Sequence, residues 1–585
     1  MGKGLNKACN ISFISVLAGL FKWHKYCIYY IILWQYKKNY SEGGVKWLFE
    51  RAIIFTILKE VLQLENNGMS NAKLTFWIAL VLMVIFVIIG AAAPEAFGEA
   101  TDAAFSYMVE AWGWSFIFGA SVFLFLIVFL LLSPVGEIRL GADDEKPAYS
   151  NQAWFAMLFS CGMGIGLLFW GVSEPIWHYM WPPYGEANTA EAVHLAMQYS
   201  FFHWGFHPWA IYAVVAGSLA YFSYRKGLPM LLSSCLEPIL GRKGIEGPWG
   251  MIVNLIGVFA TLFGLATSLG LGAMQIGAGL EELFGIASTP TLWVTIVIVT
   301  TIAAIISTST GIDRGIKYLS QLNIVVALLL MILVFVVGPT LFILNLLTQS
   351  TGDYLQNIIQ MSFGLDAAGA GTEGWYNAWT VFYWAWWIAW APFVGTFIAR
   401  VSRGRTIRNF VVGVMLVPVA VSMVWFAVFG GAALHSTHFE GNEAIMDAVS
   451  ADSALGFFSA LQGYPASTLL VAVAMFSVAV FFITSSDSGT YVNGMLTSGG
   501  NPNPPLPLRI TWGALEGAIA AILLFTGGLG ALQTASIVGG FPFMIIMLLM
   551  LYCLMKSLFA EMREGTLPLE KKRIQDALEE IKSGK

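Results

Sequence analysis

Four tryptophans fall within seven residues of one apolar run: Trp384, Trp386, Trp387 and Trp390. At about 100° per residue, the last three occupy one helical arc of roughly 100° and can line a common wall. Another run carries Trp204, Trp209 and Tyr212, which at helical spacing fall within an arc of about 140°. Aromatic faces attract quaternary ammonium groups. A methylated nitrogen cannot donate a hydrogen bond but can lie against π-electron density, an interaction worth about 2 kcal/mol or more when desolvated. Single tryptophans in membrane proteins usually form interfacial belts. Four in one run, followed by Ala391-Pro392-Phe393-Val394-Gly395, are harder to explain that way.

Two polar or helix-weakening strings accompany the aromatics. Gly162-Met163-Gly164-Ile165-Gly166 places three glycines at alternate positions of an apolar run, each costing helix stability relative to alanine. One reading is a close helix crossing through small residues. The other is an unwound stretch whose freed carbonyls face a cavity. Phe481-Phe482-Ile483-Thr484-Ser485-Ser486-Asp487-Ser488 ends a second run with hydroxyls and a carboxylate. These hydroxyls can bond back to their own helix, or serve a hard monovalent cation together with carbonyls from an unwound neighbour. His203 and His207, one turn apart, could form a proton relay, although lone helical histidines are more often structural. No intramembrane histidine or acid cluster shows metal-ligand or nucleophile–base spacing, which argues against an enzyme.

The elements that must position these residues follow from composition. Of 585 residues, 57% are hydrophobic and 11% charged, and mean hydropathy is +0.71. Lipid must be the main solvent. Apolar runs long enough to cross a core of about 30 Å fall near 74–93, 112–133, 153–172, 201–222, 249–280, 290–308, 319–347, 376–400, 408–434, 466–488, 508–528 and 533–556, giving about twelve helices. They are hydrophobic throughout rather than alternating, which excludes a β-barrel and predicts an all-α membrane protein. The five cysteines have no metal-ligand spacing and read as small apolar residues.

Lys and Arg follow the even-numbered spans, as at Arg139, Arg225, Arg242, Arg314 and Arg400 to Arg408. The loops 94–111, 173–200, 281–289, 348–374 and 435–465 contain neither. By the positive-inside rule both termini are cytoplasmic, which agrees with an even span count. Residues 1–73 form an N-terminal segment without a convincing secretory signal. Its first 68 residues are either translated or an over-extended reading frame with the start near Met69. Residues 74–556 form the twelve-helix membrane domain, and 557–585 a cytoplasmic tail of nearly balanced charge.

Several strings resemble the betaine/choline/carnitine transporter family: Gly162 to Gly166 through Ser173-Glu174-Pro175, His207 to Tyr212, Thr267 to Gly272, and Trp384 to Arg408. The similarity runs from about residue 74 to 560. It implies the leucine-transporter fold, with two inverted five-helix repeats at about 153–347 and 376–556 preceded by two extra helices, assembled as a homotrimer in the cell (inner) membrane. It implies a substrate site formed by Trp204, Trp209, Tyr212 and Trp387, with Trp386 and Trp390 on the inward path and Phe169 near the outer gate. The anionic end of a zwitterion would lie against Gly162, Gly164 and Gly166. One sodium site would use carbonyls of Ser160, Met163 and Phe481 with the hydroxyls of Thr484 and Ser485. A second, around Thr261 and Thr267, is not clearly matched, and Ser160 and Cys161 depart from the family pattern.

In the family, proton-coupled choline carriers and sodium-independent carnitine exchangers tend to carry an Asp or other side chains inside the glycine stretch, and this chain has none there. The resemblance therefore points to Na+-coupled symport of glycine betaine for osmoprotection, without a cofactor, nucleic acid or enzymatic activity. The alternative is a proton-coupled or exchange transporter of choline, carnitine, ectoine or dimethylsulfoniopropionate. A sensor that signals without transport would need a cytoplasmic output domain, and the tail is too short for one.

Overall fold

The computed structural model describes residues 70–564 apart from 163, 311, 312 and 370, and gives no side-chain description at 159–162, 310, 313–320 and 373. The N-terminal segment before residue 70 and the tail beyond 564 lie outside the described residues. So do Cys9 and Cys27, while Cys235 and Cys553 are buried free thiols. The described chain is helical, with a lone antiparallel bridge between Arg139 and Thr406 and no strand.

Helices α1 (Asn71–Ala92) and α2 (Pro94–Leu132) come first, joined at Ala93 and Pro94. A broken pair follows, α3 (Asn151–Gly162) and α4 (Ile165–Met180), interrupted at Gly164, whose backbone is extended at φ −157° and ψ −147°. The unwound reading of the glycine stretch thus holds at the level of the backbone. A second broken pair, α5 (Ala190–Trp204) and α6 (Phe206–Ala220), changes direction at Gly205, at φ −95° and ψ −132°. Here the sequence reading needs correction. Trp204 and Trp209 lie on different helices, so the helical arc calculated across them does not exist.

Next come α7 (Pro248–Phe284), α8 (Pro290–Thr310), α9 (Asp313–Val337) and α10 (Thr340–Ser362). The apolar run 319–347 was expected to be one span, yet the chain bends by 109° between α9 and α10. Gly338-Pro339 supplies the break, because proline removes a backbone donor and disfavours helix in the residue before it. A π-helical turn at Asn377–Val381 leads into α11 (Phe382–Val401). Then follow α12 (Ile407–Glu440), α13 (Ser467–Leu496) and the 58-residue α14 (Leu506–Arg563). Gly528 in α14 has φ 56° and ψ −134° and kinks it between the two runs read from the sequence.

Eight described helices are long and apolar enough to cross a membrane, or up to nine counting the bent pair around Gly338. The segment Gly374–Val401 is 94% buried in its most apolar window, against 28% for α1, so the tryptophan-rich helix is central and α1 peripheral. Large apolar side chains such as Ile88, Leu132, Val299, Ile306 and Val336 are exposed. Their density on long apolar helices suits lipid rather than water and makes this a multi-pass membrane protein.

Candidate functional site

The two helix breaks meet the tryptophan helix. Gly166, one residue into α4, lies where a Cβ would come 2.8 Å from Cη2 of Trp204 and 2.9 Å from Cη2 of Trp386. Glycine is required there because indoles from α5 and α11 close against the backbone of α4. Gly164 has open space where its Cβ would be. Gly162 ends α3, so all three glycines flank or form the break.

From this point the rings form a continuous cluster. Trp204 meets Trp387 edge to face at 4.8 Å between centroids, and Tyr212 meets the same Trp387 at 6.1 Å. Trp209 contacts Tyr212 at 5.5 Å. Trp386 stacks on Trp387 at 4.8 Å and 15°, and Trp390 reaches Trp386 at 6.4 Å. The cluster is buried; Trp387 is 4% exposed. Its indole N–H donates to the His203 carbonyl at 3.0 Å, and that of Trp390 to the Gly264 carbonyl at 2.8 Å. Trp386 Nε1 is buried without a hydrogen-bond partner. Trp384 points elsewhere, stacking on His207 and meeting Phe202, as expected of the tryptophan left out of the common arc. Phe169 is buried against Trp170 at 4.8 Å, and Trp170 in turn meets Tyr383 and Phe382, the latter stacked on Trp386.

Of the oxygen set, Met163 lies outside the described residues, and the side chain of Ser160 is likewise undescribed. Thr484 Oγ1 donates to the carbonyls of Val480 at 3.0 Å and Phe481 at 3.2 Å. Phe481 and Ser485 are half-buried on the same helix. The available donors are hydroxyl and carbonyl oxygens, which suit a hard monovalent cation. In α7, Thr261 bonds back to Gly257, whereas Thr267 meets the Leu532 carbonyl and Ser536 Oγ of α14 at 2.9 and 2.8 Å. Asp487 accepts from Arg509 at 3.1 Å and from Thr308.

A constellation that sequence reading missed sits beside the cluster. Glu174, fully buried on α4, accepts Trp204 Nε1 at 2.7 Å and the Tyr383 hydroxyl at 2.5 Å on one oxygen. Its other oxygen faces His203 Nδ1 at 2.8 Å and His178 Nε2 at 3.3 Å. The sequence showed no intramembrane cluster with metal-ligand spacing, but the fold assembles one: ligand-type atoms of Glu174, His178 and His203 lie within 4.8 Å of one another. The sequence reading placed both Glu174 and His178 in the loop 173–200, whereas α4 runs on to Met180 and sets them at i, i+4, which was the available signal; His203 arrives from another helix. His203 and His207 do not bond to each other. His203 Nε2 pairs with Thr380 and His207 Nε2 with Ser362, both at 3.0 Å.

Fold and site together define the class: a helical membrane protein that buries an aromatic cluster where two helices break, an arrangement typical of solute transporters. A family model described as "BCCT, betaine/carnitine/choline family transporter" matches residues 74–563. The glycine betaine transporter OpuD of Bacillus subtilis (strain 168) is 46% identical over 497 residues, covering 85% of this chain and 96% of that protein. A glycine betaine transporter of Acinetobacter baylyi is 43% identical over 494 residues, covering 84% and 74%. An ectoine/hydroxyectoine transporter of Virgibacillus pantothenticus is also 43% identical, over 480 residues, covering 81% and 94%. The chain belongs to the betaine/carnitine/choline transporter family, and is a transporter rather than an enzyme.

Proposed function

We propose that this protein is a sodium-coupled symporter that accumulates a quaternary-ammonium osmolyte, glycine betaine above all, for osmoprotection. The observation that carries the reading is the buried junction of Trp204, Trp387 and Tyr212 beside Gly166. It offers several π faces to a cation that cannot donate hydrogen bonds. Trp209 extends that wall, Trp386 and Trp390 line the inward path, and Phe169 lies toward the outer gate. The carboxylate of a zwitterion would sit at the N-terminal end of α4, where first-turn N–H groups lack helical partners and the helix dipole favours negative charge. The unpartnered Trp386 Nε1 is a further donor near that end.

Sodium would be held by the carbonyls of Ser160, Met163 and Phe481 with the hydroxyls of Thr484 and Ser485. The architecture we assign is twelve spans: α1, α2, the two broken pairs, α7, α8, α9, α11, α12, α13 and the two arms of α14. Ten of them form inverted five-helix repeats at about 153–347 and 376–556, in a homotrimer of the cell membrane with both termini cytoplasmic. At about 87 Å, α14 is nearly three times the hydrocarbon thickness, which supports counting it as two crossings.

Uptake of labelled solutes into proteoliposomes, with and without an inward sodium gradient, tests this reading. Betaine is expected to enter and to depend on sodium. Sodium-independent betaine uptake would instead identify an exchanger or proton-coupled carrier. Ectoine carries a delocalised amidinium cation rather than a quaternary ammonium, and its place in the panel is prompted by the Virgibacillus relative.

A further inference from the structure

We propose that Glu174 is a positioning residue of the aromatic cage: a buried carboxyl that sets the orientation of the Trp204 and Tyr383 rings against Trp387. This inference rests on the transport reading above and adds to it the residue that builds the site from behind. The geometry is specific. Oε2 takes both the Trp204 indole N–H and the Tyr383 hydroxyl, while Oε1 faces His203 and His178. Two oxygens with about four acceptor sites meet four possible donors, so a carboxylate matches this shell completely.

Three of the four ties lead to the cage. Trp204 meets Trp387 directly. Tyr383 lies 22° from parallel to Trp387 at 6.0 Å, and stacks on His203 at 4.8 Å and 22°. The carbonyl of that same His203 receives the Trp387 indole N–H. One side chain of α4 thereby fixes three groups of α5 and α11 that form or support the wall. Hydrogen bonding to a carboxyl also pushes electron density from the indole N–H into the Trp204 ring, and a richer π face holds a cation more strongly. A glutamine of equal size would offer one carbonyl and one amide, turning donors toward donors on one side.

The test measures betaine uptake per transporter molecule in proteoliposomes for wild type, Glu174→Gln, Tyr383→Phe and the double variant. Tyr383→Phe keeps the ring and guards against a folding failure of Glu174→Gln. We expect each single variant to raise KM at least fivefold with the maximal rate per transporter nearly unchanged, and the double variant to be little worse than Glu174→Gln alone, because both changes cut one tie. Wild-type KM in both variants, a loss confined to maximal rate, or fully additive effects would overturn the proposal. If wild type takes up no betaine, the transport reading fails instead. Tryptophan emission of ligand-free protein then decides the positioning role. A difference between wild type and Glu174→Gln that vanishes in a Trp204→Phe background supports it; no difference overturns it.

Discussion

Trp387 touches Trp204, Tyr212, Tyr383 and Trp386, so its ring is the common member of every wall around the junction. Trp387→Leu keeps the apolar character but removes the π face, and with it ring volume and the N–H bond to the His203 carbonyl. A desolvated cation–π contact of about 2 kcal/mol then predicts at least a tenfold rise in half-saturating betaine; unchanged uptake kinetics would remove Trp387 from the cage. Gly166 makes the complementary point from the backbone side. Gly166→Ala would drive a methyl into Trp204 and Trp386, both buried rings with little freedom to retreat. Uptake should fall at least tenfold at normal membrane abundance, with Gly164→Ala milder because that position faces open space. For the ion, replacing Thr484 and Ser485 together by alanine should raise the sodium concentration for half-maximal uptake. A wild-type sodium dependence would locate the coupling ion elsewhere.

The Arg-rich exit of the tryptophan helix acts at the level of elements. Arg405 is 1% exposed, stacks on Trp154 at 3.7 Å from the ring centre and donates to Asn151, Asn409 and the Tyr149 carbonyl. Neighbouring backbone pairs run from Leu140 to Arg405 and from Gly404 to Leu140 at 2.8 Å. The turn between α11 and α12 is thereby clamped to the segment between α2 and α3. Gly404, at φ +79°, has no room for a Cβ beside the Lys146 carbonyl. Arg405→Ala should lower stability by about 1–2 kcal/mol, read as a fall in the thermal unfolding midpoint, because the stacking of the buried guanidinium on Trp154 and its hydrogen bonds to Asn151, Asn409 and the Tyr149 carbonyl are lost together. Arg405→Lys should not restore it, since an ammonium can neither stack as a plane nor reach those acceptors as a fork. In α14, Gly528→Ala should lower the thermal unfolding midpoint by the equivalent of about 1–3 kcal/mol, because φ 56° with ψ −134° is a conformation open essentially to glycine alone.

For the whole molecule, the family match spans residues 74–563. A chain starting at Met69 is therefore expected to retain full betaine uptake, measured beside the complete sequence; loss of uptake would give residues 1–68 a working role. The bent segment α10 presents exposed apolar residues, Leu341 at 72% and Ile359 at 64% among them. These suit lipid or a neighbouring subunit, and cross-linking in native membranes distinguishes a trimer from a monomer.

Solvent preference is additive along the chain, and so the helical membrane class could be read from the sequence alone, as could the crowding of aromatics on the helix that became α11. The glycines at 162–166 raised a break as one of two readings, and the backbone at Gly164 decided for it; the breaks at Gly205 and Gly338-Pro339 were passed over, because each interrupts a run that is apolar enough to span without one. Helical phase placed Trp386, Trp387 and Trp390 together correctly; the same arithmetic failed for Trp204 and Trp209, because phase is lost across Gly205. What only the tertiary structure decided is which residues meet from different helices. Glu174 fell in the loop 173–200 of the sequence reading, whereas α4 continues through it to Met180. Its partners come from positions 178, 203, 204 and 383, and a carboxyl can be buried there because folding supplies those donors from three helices at once.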